Sequence, residues 1–343
     1  MTNKEIKQFT YDPMKAIMKF SNFQTREKLS LHVIGLQKVE ALFPHQFDRV
    51  EYGDNIFRIK IGDITREWAF SRGMGPDSHC FVNVTKSPRR RVDYIVNNFE
   101  PKKTNHVAML KLLKDYLRDG SKIDVLYIFG VPEDTIILNS PISRSELGNI
   151  KLKVKKLHLN RVSQDILHSW LPLISDEEPI QEIRFNVNRQ AMFMFDEPVV
   201  QHCHTLKIRF FDLHDDSLPL ENCFGKLQNA HVNVQHSAFP MRLLEVLIRK
   251  WVYWRRPLGT SFSIGIKYYT TVLDAFDMAV ADIKGVPSIF PDITNYCRHC
   301  CTVPVDGELE VVIFGRRKIR QHPQNFEWEL RAEVMKKGTT VPK

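Results

Sequence analysis

The spacing of apolar residues along the chain switches repeatedly between a period of three to four and a period of two, and glycine or proline marks most of the switches. Val107, Leu110, Leu113 and Leu117 form one helical stripe over about 105–118, which ends at Gly120 and runs directly into the apolar segment Ile123–Phe129. A strand at Lys156–Leu159 follows. Ser163 then caps a helix with Asp165 near its positive end, displaying Ile166, Leu167, Trp170, Leu171 and Ile174, before a strand at Ile180–Val187. Strand patterns recur at Thr205–Phe211, Ala230–Val234 and Phe262–Tyr268. Between the last two lies a helix opened by Pro240, with Leu243, Leu244, Leu247, Ile248 and Trp251 inside. Thr270/Thr271 opens a further helix with Val272, Leu273, Phe276, Val280 and Ile283 as its apolar face and Gly285 as its stop. The segments Leu309–Phe314 and Phe326–Met335 then read as a β-pair around the basic stretch Arg316–His322, a cap for an otherwise open sheet edge.

The first hundred residues have another texture. Asp12-Pro13 opens a short helix with Met14, Ile17 and Met18 on its apolar face. A second helix starts near Thr25 with Leu29 and Val33 one turn apart, and a short Leu36–Phe43 segment stops at Pro44. Phe47–Tyr52 and Ile56–Ile61 flank Gly53-Asp54-Asn55, which predicts a hairpin. Trp68–Phe70 and Cys80–Val84 are strand candidates on either side of the loop Gly73-Met-Gly75-Pro76.

Two helix-strand units match in detail. Ile166-Leu167-x-x-Trp170 corresponds to Leu247-Ile248-x-x-Trp251, and a strand isoleucine follows each tryptophan at one and the same distance (170 to 183 and 251 to 264). Equal spacing predicts equal packing, with each indole wedged between helix and sheet. The strand positions Leu157, Ile183, Leu206 and Val232 are unevenly spaced and carry no asparagine ladder. The expected fold is therefore α/β with an α+β N-terminal part: an irregular leucine-rich-repeat-like helix-strand array closed by a C-terminal helix and β-hairpin cap. The expected domains are 1–100, short helices plus hairpin, and 101–343, the repeat region with its cap.

Composition adds little. The chain has 343 residues, 43% of them hydrophobic, which excludes collagen-like and wholly disordered architectures. Neither an apolar leader core nor a membrane-length run is present, and the expectation is a cytoplasmic or nuclear protein without membrane contact. With 49 Lys and Arg against 40 Asp and Glu the formal charge is +9. Clusters stand at Arg89-Arg90-Arg91, Arg255-Arg256 and Arg316-Arg317-Lys318 with Arg320, and they support an alternative reading as a basic nucleic-acid-associated protein. The six cysteines are expected as reduced packing thiols, because Cys297-Arg-His-Cys300-Cys301 and His202-Cys203-His204 do not make two matched pairs for zinc.

At the N-terminus, Phe9-Thr-Tyr11-Asp-Pro-Met-Lys15 is followed by Arg26-Glu-Lys-Leu29-Ser30 and Pro44. The C-terminal part contains Arg256-Pro-Leu-Gly259-Thr-Ser-Phe262-Ser-Ile-Gly265 and Phe326-Glu-Trp328-Glu-Leu-Arg-Ala-Glu-Val334. The chain resembles a large, nematode-expanded family of uncharacterised proteins and is similar in layout to nematode F-box and F-box-associated proteins, and the resemblance spans nearly its whole length. The resemblance implies a protein-interaction scaffold: the F-box-like segment docks the small adaptor of a cullin-type ubiquitin ligase, and the repeat region presents a substrate. Pro13, Ile17, Met18 and Leu29 would then be partner-docking residues. Read from the sequence alone, Ile17, Met18 and Leu29 fit better as core against the Val50–Ile61 hairpin. The usual leading Leu-Pro is replaced by Asp12-Pro13, and the closing Trp-Arg region is absent.

No G-x-S-x-G elbow, Walker loop, H-E-x-x-H or kinase signature occurs, so no enzyme activity, cofactor or metal is implied. Asp212-Leu-His214-Asp215-Asp216 reads as a polar loop after Phe210-Phe211. Lys86-Ser87-Pro88-Arg89-Arg90-Arg91 is predicted as an exposed basic loop with Ser87 as its phosphosite. Phosphate there would add about −1.5 to −2 charge beside three arginines and mask them.

Overall fold

The computed structural model describes residues 15–343 except 17, 20, 33–35, 37, 38, 41, 54, 55, 71–79, 87–92, 97–104, 131–146, 211–218, 236–239, 292–298, 306 and 318–327. For residues 31, 70, 80–86, 93–96 and 105–108 it describes the backbone alone. The chain forms a mixed α/β structure with extensive sheet and several helices, and it divides into two compact units, Met1–Pro179 and Ile180–Lys343. Among the described residues no helix is long and apolar enough to cross a membrane.

The first unit holds helices α1 (Phe23–His32), α2 (Asn105–Tyr116) and α3 (Gln164–Trp170). Its strands are β1 (Gln46–Gly53), β2 (Ile56–Ile61), β3 (Ile64–Phe70), β4 (Cys80–Lys86), β5 (Asp93–Val96), β6 (Lys122–Phe129) and β7 (Lys153–Asn160). β1 to β5 form an antiparallel meander, and the predicted hairpin is its first turn, with Val50 opposite Ile59. β6 runs parallel to β1, with Phe47 opposite Ile123, and β7 runs parallel to β6. Strands from before residue 97 and after residue 104 thus pair in one sheet. The buried rows Phe47/Val50, Phe57/Ile59, Ile123/Leu126/Ile128 and Val154/Leu157/Leu159 make one face of it. Aromatic side chains carry the helices on that face: Tyr116 of α2 lies 5.0 Å from the Trp68 ring and Trp170 of α3 lies 5.1 Å from Tyr52.

Local rules account for the helix ends. Asn22 Oδ1 accepts the Thr25 N–H, so α1 begins two residues before the expected Thr25. Ser163 caps α3 as predicted, its Oγ accepting from the Ile166 N–H at 3.4 Å. In α2 the buried stripe is Met109, Leu112, Leu113 and Leu117, while the predicted Leu110 is only half-buried.

The second unit holds α4 (Pro198–His202), α5 (Leu220–Phe224), α6 (Met241–Trp254) and α7 (Thr270–Ile283). Its strands are β8 (Glu182–Val187), β9 (Thr205–Phe210), β10 (His231–Gln235), β11 (Ser261–Ile266), β12 (Val286–Ile289), β13 (His299–Pro304), β14 (Leu309–Arg317), β15 (Trp328–Lys336) and β16 (Val341–Pro342). β8 to β11 are parallel and in chain order, with a helical segment between each pair. β15 then joins β11 antiparallel and pairs on its other side with β14, so the C-terminal strands do cover the β11 edge. Leu243, Leu244, Leu247, Ile248 and Trp251 of α6 are all buried as the pattern requires.

The expected apolar face of α7 needs correction. Leu273 and Val280 are exposed, and the inward row is Val272, Ala275, Ala279 and Ile283. Close approach decides this. A Cβ on Gly315 of β14 would stand 3.0 Å from Val272, and one on Gly285 would stand 2.5 Å from Cys301 Sγ. Alanine and glycine bring this helix onto its strands where leucine and valine would hold it off.

Candidate interaction faces

Strand alternation gives each unit a second face, opposite the helices. In the second unit it is built in cross-strand rungs. Thr205, His231 and Ser261 stand in register, then Lys207, Asn233 and Ser263, then Arg209 and Gln235. These side chains are half-buried apart from Ser261, while their neighbours Leu206, Ile208, Val232, Val234, Phe262 and Ile264 are buried on the helix side. His231 Nδ1 lies 2.8 Å from Ser261 Oγ, Asn233 Nδ2 donates to Ser263 Oγ at 2.7 Å, and Lys207 pairs with Glu182 at 2.8 Å. The His204 ring meets His231 edge-on at 4.8 Å, and burial lowers the pKa of His231. Near the C-terminal end the same face turns apolar, with Phe290, Cys300, Val312 and Phe314 clustered and Met335 packed against them.

In the first unit the corresponding face is a charge network. Glu51, buried on β1, is held by Arg49 at 2.6 Å and by Arg58 at 2.5 Å, and Arg58 Nε also donates to Glu67 at 2.7 Å. These residues line a shallow basin of about 380 Å³ together with Lys60 and Thr65. Arg49 lies over the Tyr127 ring, 5.3 Å from its centre, and Tyr127 stacks on Phe129. Desolvation and these carboxylates act oppositely on Arg58, and the carboxylates win, so its pKa is raised.

Several expected site residues fall elsewhere. Met18 is fully buried in a small cluster with Leu36 and Val39, against which Leu29 and Phe43 pack. Pro13, Ile17, Ser87 and Arg89–Arg91 lie outside the described residues, and so do the side chain of Lys86 and the loop 212–216. Arg256 is tied into the structure through the Gln228 and Asn229 carbonyls, and Arg255 closes α6 in the left-handed conformation. Cys203, Cys223, Cys300 and Cys301 are free and buried. Desolvation pushes the Cys203 and Cys300 thiols up to about 12, which keeps them protonated. Among the described residues no group of three or more His, Cys, Asp or Glu side chains could hold a metal ion.

The periodicity reading missed the buried cluster of Arg26, Glu40, His45 and Arg118. Arg118 reaches Glu40 Oε2 at 2.6 Å, the Arg26 guanidinium lies 3.2 Å from His45 Nδ1, and the His45 N–H donates to Ser121 Oγ at 3.1 Å. Burial, reinforced by Arg118 and Arg26, lowers the His45 pKa to about 3. Polar residues spread over ninety positions leave no local signal. The isolated Pro44-His45 before a strand was the one visible clue.

Fold and faces together define a mixed α/β protein that keeps helices to one side of its strands and a polar, hydrogen-bonded surface on the other. The chain belongs to the family described as Domain of unknown function (DUF3557), which matches residues 96–268, a little over half of its length. No curated protein and no solved structure matches the chain.

Proposed function

We propose that this protein is a non-enzymatic interaction scaffold that binds a protein partner on the helix-free face of β8 to β11. The observation that carries the reading is the rung structure of that face, where hydroxyls, imidazole and amide stand at fixed spacing on rigid parallel strands. Asn233 gives one N–H to Ser263 and keeps its carbonyl oxygen for a partner. A rigid, partly hydrogen-bonded surface loses little entropy on binding. The helix-strand units form an irregular leucine-rich-repeat-like array, a reading supported by the matched Trp170 and Trp251, both 1% exposed. In the same reading the scaffold is the substrate receptor of a cullin-type ubiquitin ligase, docked through residues around Ile17 and Leu29. The residual exposure of Leu29 supports that role.

Two measurements test the proposal. A photo-crosslinking residue at Asn233 is expected to capture a protein partner that the same residue at the exposed Asp165 does not. Capture from the helix side alone overturns the face assignment. Purified cullin adaptor is expected to be pulled down by the full chain and lost on Ile17→Asp with folding retained. Absence of any pull-down removes the ligase role and leaves the scaffold role standing.

A further inference from the structure

Five of the large hydrophobic side chains that the second unit exposes sit on or directly beside two neighbouring helices. Tyr253 (78% exposed) and Trp254 (40%) end α6, Leu258 follows them, and Leu273 and Val280 (44% each) lie along α7. The helices adjoin on their outer side as well, because the Arg249 guanidinium of α6 donates to the Asp282 carbonyl of α7. Their charges are opposite. α6 carries Lys250, Arg242, which pairs with Glu221 at 3.1 Å in an exposed contact, and Arg249, which pairs with Glu245 at 2.7 Å, whereas α7 carries Asp274, Asp277 and Asp282 and no Lys or Arg. Asp274 and Asp277 have no ion-pair partner among the described residues, and they lie between the exposed Leu273 and Val280.

We infer that this outer helical surface is a self-association site whose partner is a second copy of the chain. A two-fold axis running between α6 and α7 lays the basic helix of each copy on the acidic helix of the other. One surface thereby satisfies itself twice, which is the defining property of an isologous contact. With the helices crossing antiparallel, Tyr253 and Trp254 then cover Leu273, Lys250 meets Asp274 and Asp277, and Arg242, about two turns further along, exchanges Glu221 for Asp282. Aromatic and basic residues against aliphatic and acidic ones is the composition of a protein interface centre with a charged rim. A basic ligand fits α7 alone and an acidic one fits α6 alone. The second copy fits both at once.

The test is a charge swap read by sedimentation of the full chain. Wild type is expected to dimerise, and more weakly as salt rises. A chain with α6 reversed (Arg242→Glu, Lys250→Glu) and a chain with α7 reversed (Asp274→Lys, Asp277→Lys) are each expected to be monomeric. Both reversals lie on exposed side chains, and unchanged melting temperatures confirm intact folding. Mixing the two reversed chains is expected to restore a 1:1 dimer. A wild type that stays monomeric at all concentrations overturns the inference. So does a dimer indifferent to both reversals, or a mixture that fails to reassociate.

Discussion

The open faces of the two units are made from the same strand alternation but from different chemistry. Around β1, β2 and β3 the face is closed by charge: Glu51 is fixed between Arg49 and Arg58, and Arg58 is shared with Glu67. Between β10 and β11 it is closed by neutral rungs, His231 to Ser261 and Asn233 to Ser263. A buried carboxylate between guanidiniums is costly to break and offers little to a newcomer. Neutral rungs are cheap to break and leave unsatisfied lone pairs. The first face is suited to holding a meander together, and the second is the one proposed above as the recognition face.

The largest effect should come from the tryptophans that anchor helices to each sheet. Trp251→Ala is expected to cost about 3–5 kcal/mol, with amide exchange rising in residues 180–343. Trp170→Ala should cost as much and act in residues 1–179. Trp170→Phe should cost less, because the buried Trp170 Nε1 has no hydrogen-bond partner to lose. Next comes the charge network: Glu51→Ala leaves two guanidiniums facing each other and should cost about 2–3 kcal/mol, measured by urea unfolding. A cost below that of removing a neutral rung would reverse the comparison.

The third effect is a pH dependence of the first unit. The unfolded state protonates His45 near its ordinary value, while the folded state holds it neutral down to about 3. Its contribution is therefore complete above pH 6.5 and is lost as the pH falls toward 3, at about 1.4 kcal/mol per unit, or about 2 kcal/mol by pH 5. Urea midpoints at pH 7 and pH 5 should differ accordingly for wild type and much less for His45→Gln. The smallest effect sharpens the contrast most. Asn233→Ala should cost about 0.5–1 kcal/mol of stability while weakening partner capture, measured by melting and by crosslinking yield.

What the sequence made legible was local. The β1–β2 hairpin, the Ser163 cap, the α6 stripe and both buried tryptophans follow from spacing and capping chemistry alone. The α7 stripe was misread because both candidate rows share Val272 and Ile283, and leucine outweighs alanine in any hydrophobic pattern. The alanine row won because the helix lies close on strands far along the chain, with Val272 against Gly315 and Gly285 against Cys301. The parallel pairing of β1 with β6 was equally hidden, since parallel register has no turn to announce it. The polar face of β8 to β11 was legible as alternation but not as rungs, because which polar residues stand side by side depends on the pairing of strands whole helices apart.

The pairing of β15 with β11 has a consequence during synthesis. β12, β13 and β14 all leave the ribosome before β15 does, and for that interval the β11 edge, with the backbone of Phe262 and Ile264, has no neighbour on that side. An uncovered parallel edge is a template for any passing strand. A premature stop just upstream of Trp328 would make that nascent state permanent, so such a truncation should appear in cells as an aggregate or a client of chaperones, although it retains every rung of the recognition face.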